Sequence, residues 1–156
     1  MIDRRTTLAA LGAFALFPSF ARAANDTDWA HLTDAQWKAR LTPAQYEILR
    51  RDGTKEPFSS PLDYEKRAGT YHCAGCDLAL YSSKTKYDSG TGWPSFWKPL
   101  PNAVSTKRDA SLPGEVRNEV HCSRCLGHLG HVFNDGPPPT GLRYCMDGVA
   151  LTFKVA

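Results

Sequence analysis

Four of the five cysteines in this 156-residue chain stand in two pairs, Cys73-Ala-Gly-Cys76 and Cys122-Ser-Arg-Cys125. A C-x2-C turn presents two thiolates to one tetrahedral cation. Two such turns brought together complete a four-sulfur site with no coordination position left for a substrate. The expectation is one structural Zn2+ held by Cys73, Cys76, Cys122 and Cys125, with iron in the same cage as the other metal reading. Two thioredoxin-like redox pairs, or two small disulfide loops, are the alternatives. Neither pair has a βαβ context, and a bridge across so short a loop would stabilise little.

The fifth cysteine, Cys145, lies in Arg143-Tyr-Cys-Met-Asp147. A free cysteine is most often a small buried apolar residue. Here Arg143 supplies a cation that favours the thiolate. Upstream, Gly127-His-Leu-Gly-His-Val-Phe-Asn-Asp135 supplies two histidines at a spacing of three. A lone cysteine with separate histidines is a candidate nucleophile with its acid, here Cys145 with His131 and His128. His31 and His72 lack such context and read as surface or local structural residues, and His121, next to Cys122, reads as packing beside the metal. Gly90-Thr-Gly-Trp-Pro-Ser-Phe-Trp97 concentrates three aromatics, which serve either a core or the rigid apolar wall of a pocket.

The elements that must position these groups are short. Thr33 opens one helix. Thr42-Pro-Ala-Gln45 opens another, with a capping box and proline at the first helical position; Tyr46, Ile48 and Leu49 form its apolar side and Gly53 its stop. From Tyr71 onward, Leu78–Tyr81, Val116–His121, His131–Phe133 and Val149–Val155 read as strands, the last with apolar residues at alternate positions. Eleven prolines and twelve glycines suit short strands with frequent turns.

The first 23 residues read as an export signal. Arg4-Arg5 precedes an apolar run from Leu8 to Phe17, too short to span a bilayer, and Ala21-Arg-Ala23 has the small-x-small pattern of a cleavage site. The paired arginines resemble a twin-arginine signal and point to the periplasm. Residues 24–156 then form a single domain with no stable membrane span. Removing Arg4, Arg5 and Arg22 with Asp3 takes the net charge from +3 to +1, which argues against a nucleic-acid partner.

Taken together, the motifs resemble the methionine sulfoxide reductase B family. Lys86-Tyr-Asp-Ser-Gly-Thr-Gly-Trp-Pro-Ser-Phe96, Gly130-His-Val-Phe-Asn-Asp-Gly136, Gly141-Leu-Arg-Tyr-Cys145, Leu41-Thr-Pro-Ala-Gln-Tyr46 and both cysteine pairs carry the likeness, over about residues 33 to 156. The resemblance implies a mainly β fold of two small antiparallel sheets (Mss4-like, or β-tent) around a structural zinc, with short N-terminal helices. It implies reduction of the R epimer of methionine sulfoxide, peptide-bound or free. Cys145 would be the nucleophile that becomes a sulfenic acid, and His131 the leading proton donor with His128 assisting. Trp93 and Phe133 would bind substrate, while Asp135 and Arg143 would orient the histidines and the strand. Thr91 stands where many family members carry a resolving cysteine. An external thiol, from a thioredoxin-like protein or a small molecule, would therefore regenerate Cys145. Asp147 replaces the usual asparagine and puts the acidity of Cys145 in question. The other reading is a non-catalytic binding or chaperone module on the same zinc scaffold.

Overall fold

The computed structural model describes residues 27–156. The expected export segment, residues 1–23, lies outside them. Two helices come first: α1 (Asp34–Arg40) and α2 (Pro43–Arg51). Each is opened by a complete capping box, Thr33 with Gln36 and Thr42 with Gln45, so both helix starts obey the sequence pattern. The stop of α2 differs by one residue. Asp52, not Gly53, takes the left-handed conformation (φ 54°), and the Gly53 N–H then closes back on the Glu47 carbonyl. Ile48 and Leu49 on α2 and Trp37 on α1 are buried, and Leu49 packs on Gly75 and Gly127 of the two cysteine turns.

Nine strands follow. They are β1 (Gly69–Cys73), β2 (Ala79–Ser82), β3 (Lys86–Tyr87), β4 (Ser95–Phe96), β5 (Val104–Asp109), β6 (Arg117–Cys122), β7 (His128–Phe133), β8 (Arg143–Met146) and β9 (Leu151–Val155). They form two antiparallel sheets, one of order β2-β1-β9 and one of order β3-β4-β8-β7-β6-β5. The terminal strand is shorter than its alternation suggests, because Gly148–Ala150 coil into a 3-10 turn capped by the Asp147 side chain. The core joins the two sheets through aromatic contacts. Tyr81 stacks on Phe96 at 4.3 Å, Tyr71 meets Phe96 edge-on at 4.9 Å, and the Tyr81 hydroxyl lies 3.2 Å from Met146 Sδ. No helix among the described residues is long and apolar enough to cross a membrane.

Candidate active site and metal centre

The two cysteine turns are built alike. In each, the residue after the second cysteine has positive φ (Asp77, 61°; Leu126, 57°) and donates its N–H to the first cysteine's carbonyl. In each, the first cysteine's N–H returns to a carbonyl just beyond the turn, Leu78 or Gly127. Both therefore fold into the same tight loop with two sulfurs on one side. The four sulfurs are buried and lie within 4.8 Å of one another, with Cys73–Cys125 at 3.6 Å and Cys76–Cys122 at 3.4 Å. Four sulfurs at roughly 2.3 Å from a tetrahedral zinc would be about 3.8 Å apart, so the donor set fits that ion. Buried thiols cannot all ionise side by side without a dication to neutralise them. None of the four is in a disulfide. Arg50 and Arg124 donate to the Cys125 and Cys76 carbonyls and tie α2 and the second turn to the four-cysteine cluster.

The candidate catalytic groups come together through register in the larger sheet. Ser95, Cys145, His131, Glu119 and Lys107 sit directly opposite one another on β4, β8, β7, β6 and β5. Directly opposed side chains share a face with Cβ atoms about 5 Å apart, so these five form one row across the sheet. Two residues along each strand, on the same face, lie Arg143, Phe133, Arg117 and Asp109. Gly130 allows β7 and β8 to lie this close. Its φ is +146°, and a Cβ there would stand 2.1 Å from the Cys145 carbonyl oxygen.

Above the row is a hollow of about 130 Å³ lined by Trp93, His128, His131, Phe133, Cys145 and Asp147 among others. Trp93 is fixed by its indole N–H, which donates to the Lys55 carbonyl at 3.0 Å. The Lys55 N–H donates to Asp147 at 2.7 Å, and the second Asp147 oxygen accepts from Val149 at 2.9 Å. The carboxylate of Asp147 thus serves backbone donors, holding the segment that carries Trp93's partner. Asp135 and Arg143 stand apart from this hollow. They form a bidentate pair, both contacts 2.8 Å, and the guanidinium lies over the Phe133 ring at 4.3 Å. Arg143 is thereby positioned, but neither residue is hydrogen-bonded to a histidine.

The histidines are oriented by residues the sequence pattern did not single out. His131 Nε2 lies 2.8 Å from Asp109, which also pairs with Arg117 at 2.7 Å. Hydrogen bonds from Ser111 and His131 hold the Asp109 carboxyl well below the usual carboxylate range, so it accepts and His131 Nε2 carries the proton. His128 Nδ1 lies 2.8 Å from buried Glu119, which also meets His121 at 2.9 Å and Lys107 at 3.0 Å. Burial opposes ionisation of Glu119, but the contacts from His128 and Lys107 outweigh it and lower its pKa. Burial also lowers the pKa of His131, although Asp109 pulls the other way. It pushes the Cys145 thiol up despite the nearby Thr91 hydroxyl and Arg143. The alternation Arg117-Asn-Glu119-Val-His121 was a usable signal for part of this set, since it places three polar residues on one strand face. Asp109 had none.

The SelR domain matches residues 41–155. The chain is similar to the peptide methionine sulfoxide reductase MsrB of Pseudomonas putida (strain W619), 53% identical over 76% of this chain and 90% of the relative. It is similar at 53% identity to MsrB of Agrobacterium fabrum, over 78% of this chain and 90% of the relative. Peptide methionine sulfoxide reductase B1, chloroplastic, of Arabidopsis thaliana is 48% identical over 86% of this chain and 66% of the plant protein. A solved structure, the Mis18 'Yippee-like' domain, overlays on 58% of this chain with a TM-score of 0.44 and 19% identity. The matched relatives are oxidoreductases, and the four clustered cysteines form a set that could hold one metal ion. The chain belongs to the methionine sulfoxide reductase B family.

Proposed function

We propose that this protein reduces the R epimer of methionine sulfoxide in oxidised proteins and peptides, using Cys145 as nucleophile. The observation that carries the reading is the cross-strand placement of Cys145 opposite His131, beneath a hollow walled by Trp93 and Phe133. A sulfoxide sulfur becomes electrophilic as its oxygen is protonated, so the reaction needs a thiolate and an acid on one side of one pocket. Cys145 supplies the thiolate. His131, with Nε2–H committed to Asp109, delivers the proton held at Nδ1, and its lowered pKa makes the imidazolium a stronger acid. Oxygen passes from the methionine sulfur to Cys145. The substrate gains two electrons, and Cys145 becomes a sulfenic acid.

An external thiol then attacks that sulfur, water leaves, and a second thiol releases the mixed disulfide. Thr91, where a resolving cysteine would stand, lies 3.9 Å from the Cys145 sulfur, and the other four cysteines cluster as a set that would hold the metal. Zinc on Cys73, Cys76, Cys122 and Cys125 would join the two turns and stabilise the fold, leaving the reaction to Cys145. The 1–23 segment supports action in the periplasm, a proposal that fractionation tests by finding mature chain there or in the cytoplasm.

The test of the catalytic reading is turnover of a methionine sulfoxide peptide, resolved by epimer, with dithiothreitol as reductant. The R epimer alone is consumed and Cys145→Ser is inactive. Consumption of the S epimer, or activity in Cys145→Ser, overturns it.

A further inference from the structure

Three hydroxyls lie in series beside Cys145. Thr91 Oγ1 is 3.9 Å from Cys145 Sγ and 2.8 Å from Ser89 Oγ, which is 2.8 Å from Ser95 Oγ, which donates to the Trp93 carbonyl at 3.0 Å. A hydroxyl has one proton to give. Ser95 faces both the Cys145 sulfur and the Trp93 carbonyl; its one proton goes to the carbonyl, a stronger acceptor than a neutral thiol, and it must then accept from Ser89. Ser89 has then spent its own, and accepts from Thr91; the Thr91 N–H points to the same oxygen at 3.4 Å. Thr91 has in turn spent its proton, and toward the sulfur it offers only lone pairs. We infer that Thr91, Ser89 and Ser95 form a one-way hydroxyl chain that favours the protonated Cys145 and must break or reverse at Thr91 before the sulfur acts as a thiolate. Thr91 and Ser89 are thus positioning residues, an inference that rests on Cys145 being the nucleophile.

The chain's location suits a gate on reactivity. Ser95 is fully buried, while Ser89 and Thr91 line a second hollow of about 380 Å³ with Tyr87, Asp88, Asp135 and Arg143. Thr91 therefore borders both the Cys145 sulfur and this second hollow. The other groups facing Cys145 are Arg143 from its own strand, His131 and His128 from β7, Arg117 from β6, Asp147 beyond β8 and Tyr87 from β3. None of them is hydrogen-bonded to the three hydroxyls, so removing a hydroxyl leaves those charges in place.

Ionisation requires Thr91 to turn its proton from Ser89 to the sulfur, which loses one hydroxyl–hydroxyl bond and gains one to a charged sulfur. Ser89→Ala abolishes the bond that competes. The thiolate then forms more easily, and the midpoint for Cys145 moves down by about 0.5 to 1 pH unit, the worth of one ordinary hydrogen bond. Thr91→Val removes the hydroxyl that turns to the sulfur, while Ser95 stays held by the Trp93 carbonyl, and moves the midpoint up. Thr91→Ser restores the wild-type value.

The measurement is the pH dependence of iodoacetamide alkylation of the Cys145 peptide, read by mass spectrometry in the zinc-loaded full chain. Opposite shifts for Ser89→Ala and Thr91→Val are expected. If Ser89→Ala loses its zinc or its circular dichroism, Ser89→Gly removes the same hydroxyl. Shifts in one direction for both, or none for the Ser89 variants, overturn the one-way chain. Failure of the reductase reading would show separately, as a wild-type protein with a normal alkylation curve that leaves methionine sulfoxide untouched.

Discussion

Replacing Asp109 by Asn tests the acid half of the site without touching the nucleophile. Asp109 accepts from His131 at 2.8 Å and from Arg117 at 2.7 Å. An amide can keep its oxygen on the side His131 and Arg117 share, at the cost of the bond from the Ser111 N–H, but the charge that favours imidazolium is lost and Arg117 is left uncompensated. Both changes push the His131 pKa further in the direction burial already sets. A hydrogen bond to a charged group is worth about 1 to 1.5 kcal/mol more than a neutral one, which corresponds to about one pH unit. Because burial raises Cys145 and lowers His131, the proposed reactive pair of thiolate and imidazolium is a minor form. Its population is flat between the two midpoints and falls on either side.

The expected kcat/KM profile for Asp109→Asn has its acid limb shifted about one unit lower and its plateau reduced by up to about tenfold. Well below the His131 midpoint the two curves superimpose, because there the rate depends on Cys145 alone. The assay is kcat/KM for an R-sulfoxide peptide over pH 4 to 10 with saturating dithiothreitol. An acid limb that stays put or moves up, or a uniform loss at every pH, would refute the assignment of His131 as the acid held by Asp109.

Other expectations follow from the metal centre, the strand contact and the buried carboxylate. Stripping metal with a strong chelator, or Cys76→Ser, unfolds the domain, read as loss of the thermal transition and of one zinc per chain by elemental analysis; a folded, metal-free protein would contradict the structural role. Gly130→Ala places a Cβ against the Cys145 carbonyl and forces an L residue to φ +146°, costing at least about 2 kcal/mol in urea unfolding with a loss of activity. Glu119→Gln costs about 2 kcal/mol at pH 7, because a buried acceptor of His128, His121 and Lys107 loses its charge. The folded pKa of Glu119 is depressed, so its contribution is present above the unfolded value of about 4.3 and is lost as pH falls through the folded one. Wild type and Glu119→Gln should therefore converge in stability in strong acid, and parallel curves there would count against the ion-pair account.

What could be read from the chain depended on whether the physics was local. The helix start at Thr33 and the capping box at Thr42 lie within single turns and the two C-x2-C loops within six residues, and each is legible in the sequence. The left-handed residue that ends α2 was misplaced by one, because aspartate tolerates that conformation and Gly53 is freed to close on Glu47. The partnership of His131 with Asp109 was not legible. Asp109 ends an almost wholly exposed polar strand, Val-Ser-Thr-Lys-Arg-Asp, whose pattern has no apolar alternation to announce it. Only its pairing with β6, and that of β6 with β7, carries it to the histidine. For the same reason Asp135, close in sequence to His131, was expected to orient the histidines but grips Arg143 across the β7–β8 hairpin. Cys145 and His131 were each recognisable by type, and the register of β7 against β8 sets them opposite one another.

The most direct test is a single turnover without reductant. Zinc-loaded protein is mixed with excess R or S methionine sulfoxide, and free methionine, remaining thiols and a dimedone adduct at Cys145 are counted. The account predicts one methionine per chain from the R epimer only, one thiol lost, the adduct on Cys145, and no turnover in Cys145→Ser. Folded, zinc-bound protein that yields no methionine from either epimer would contradict it.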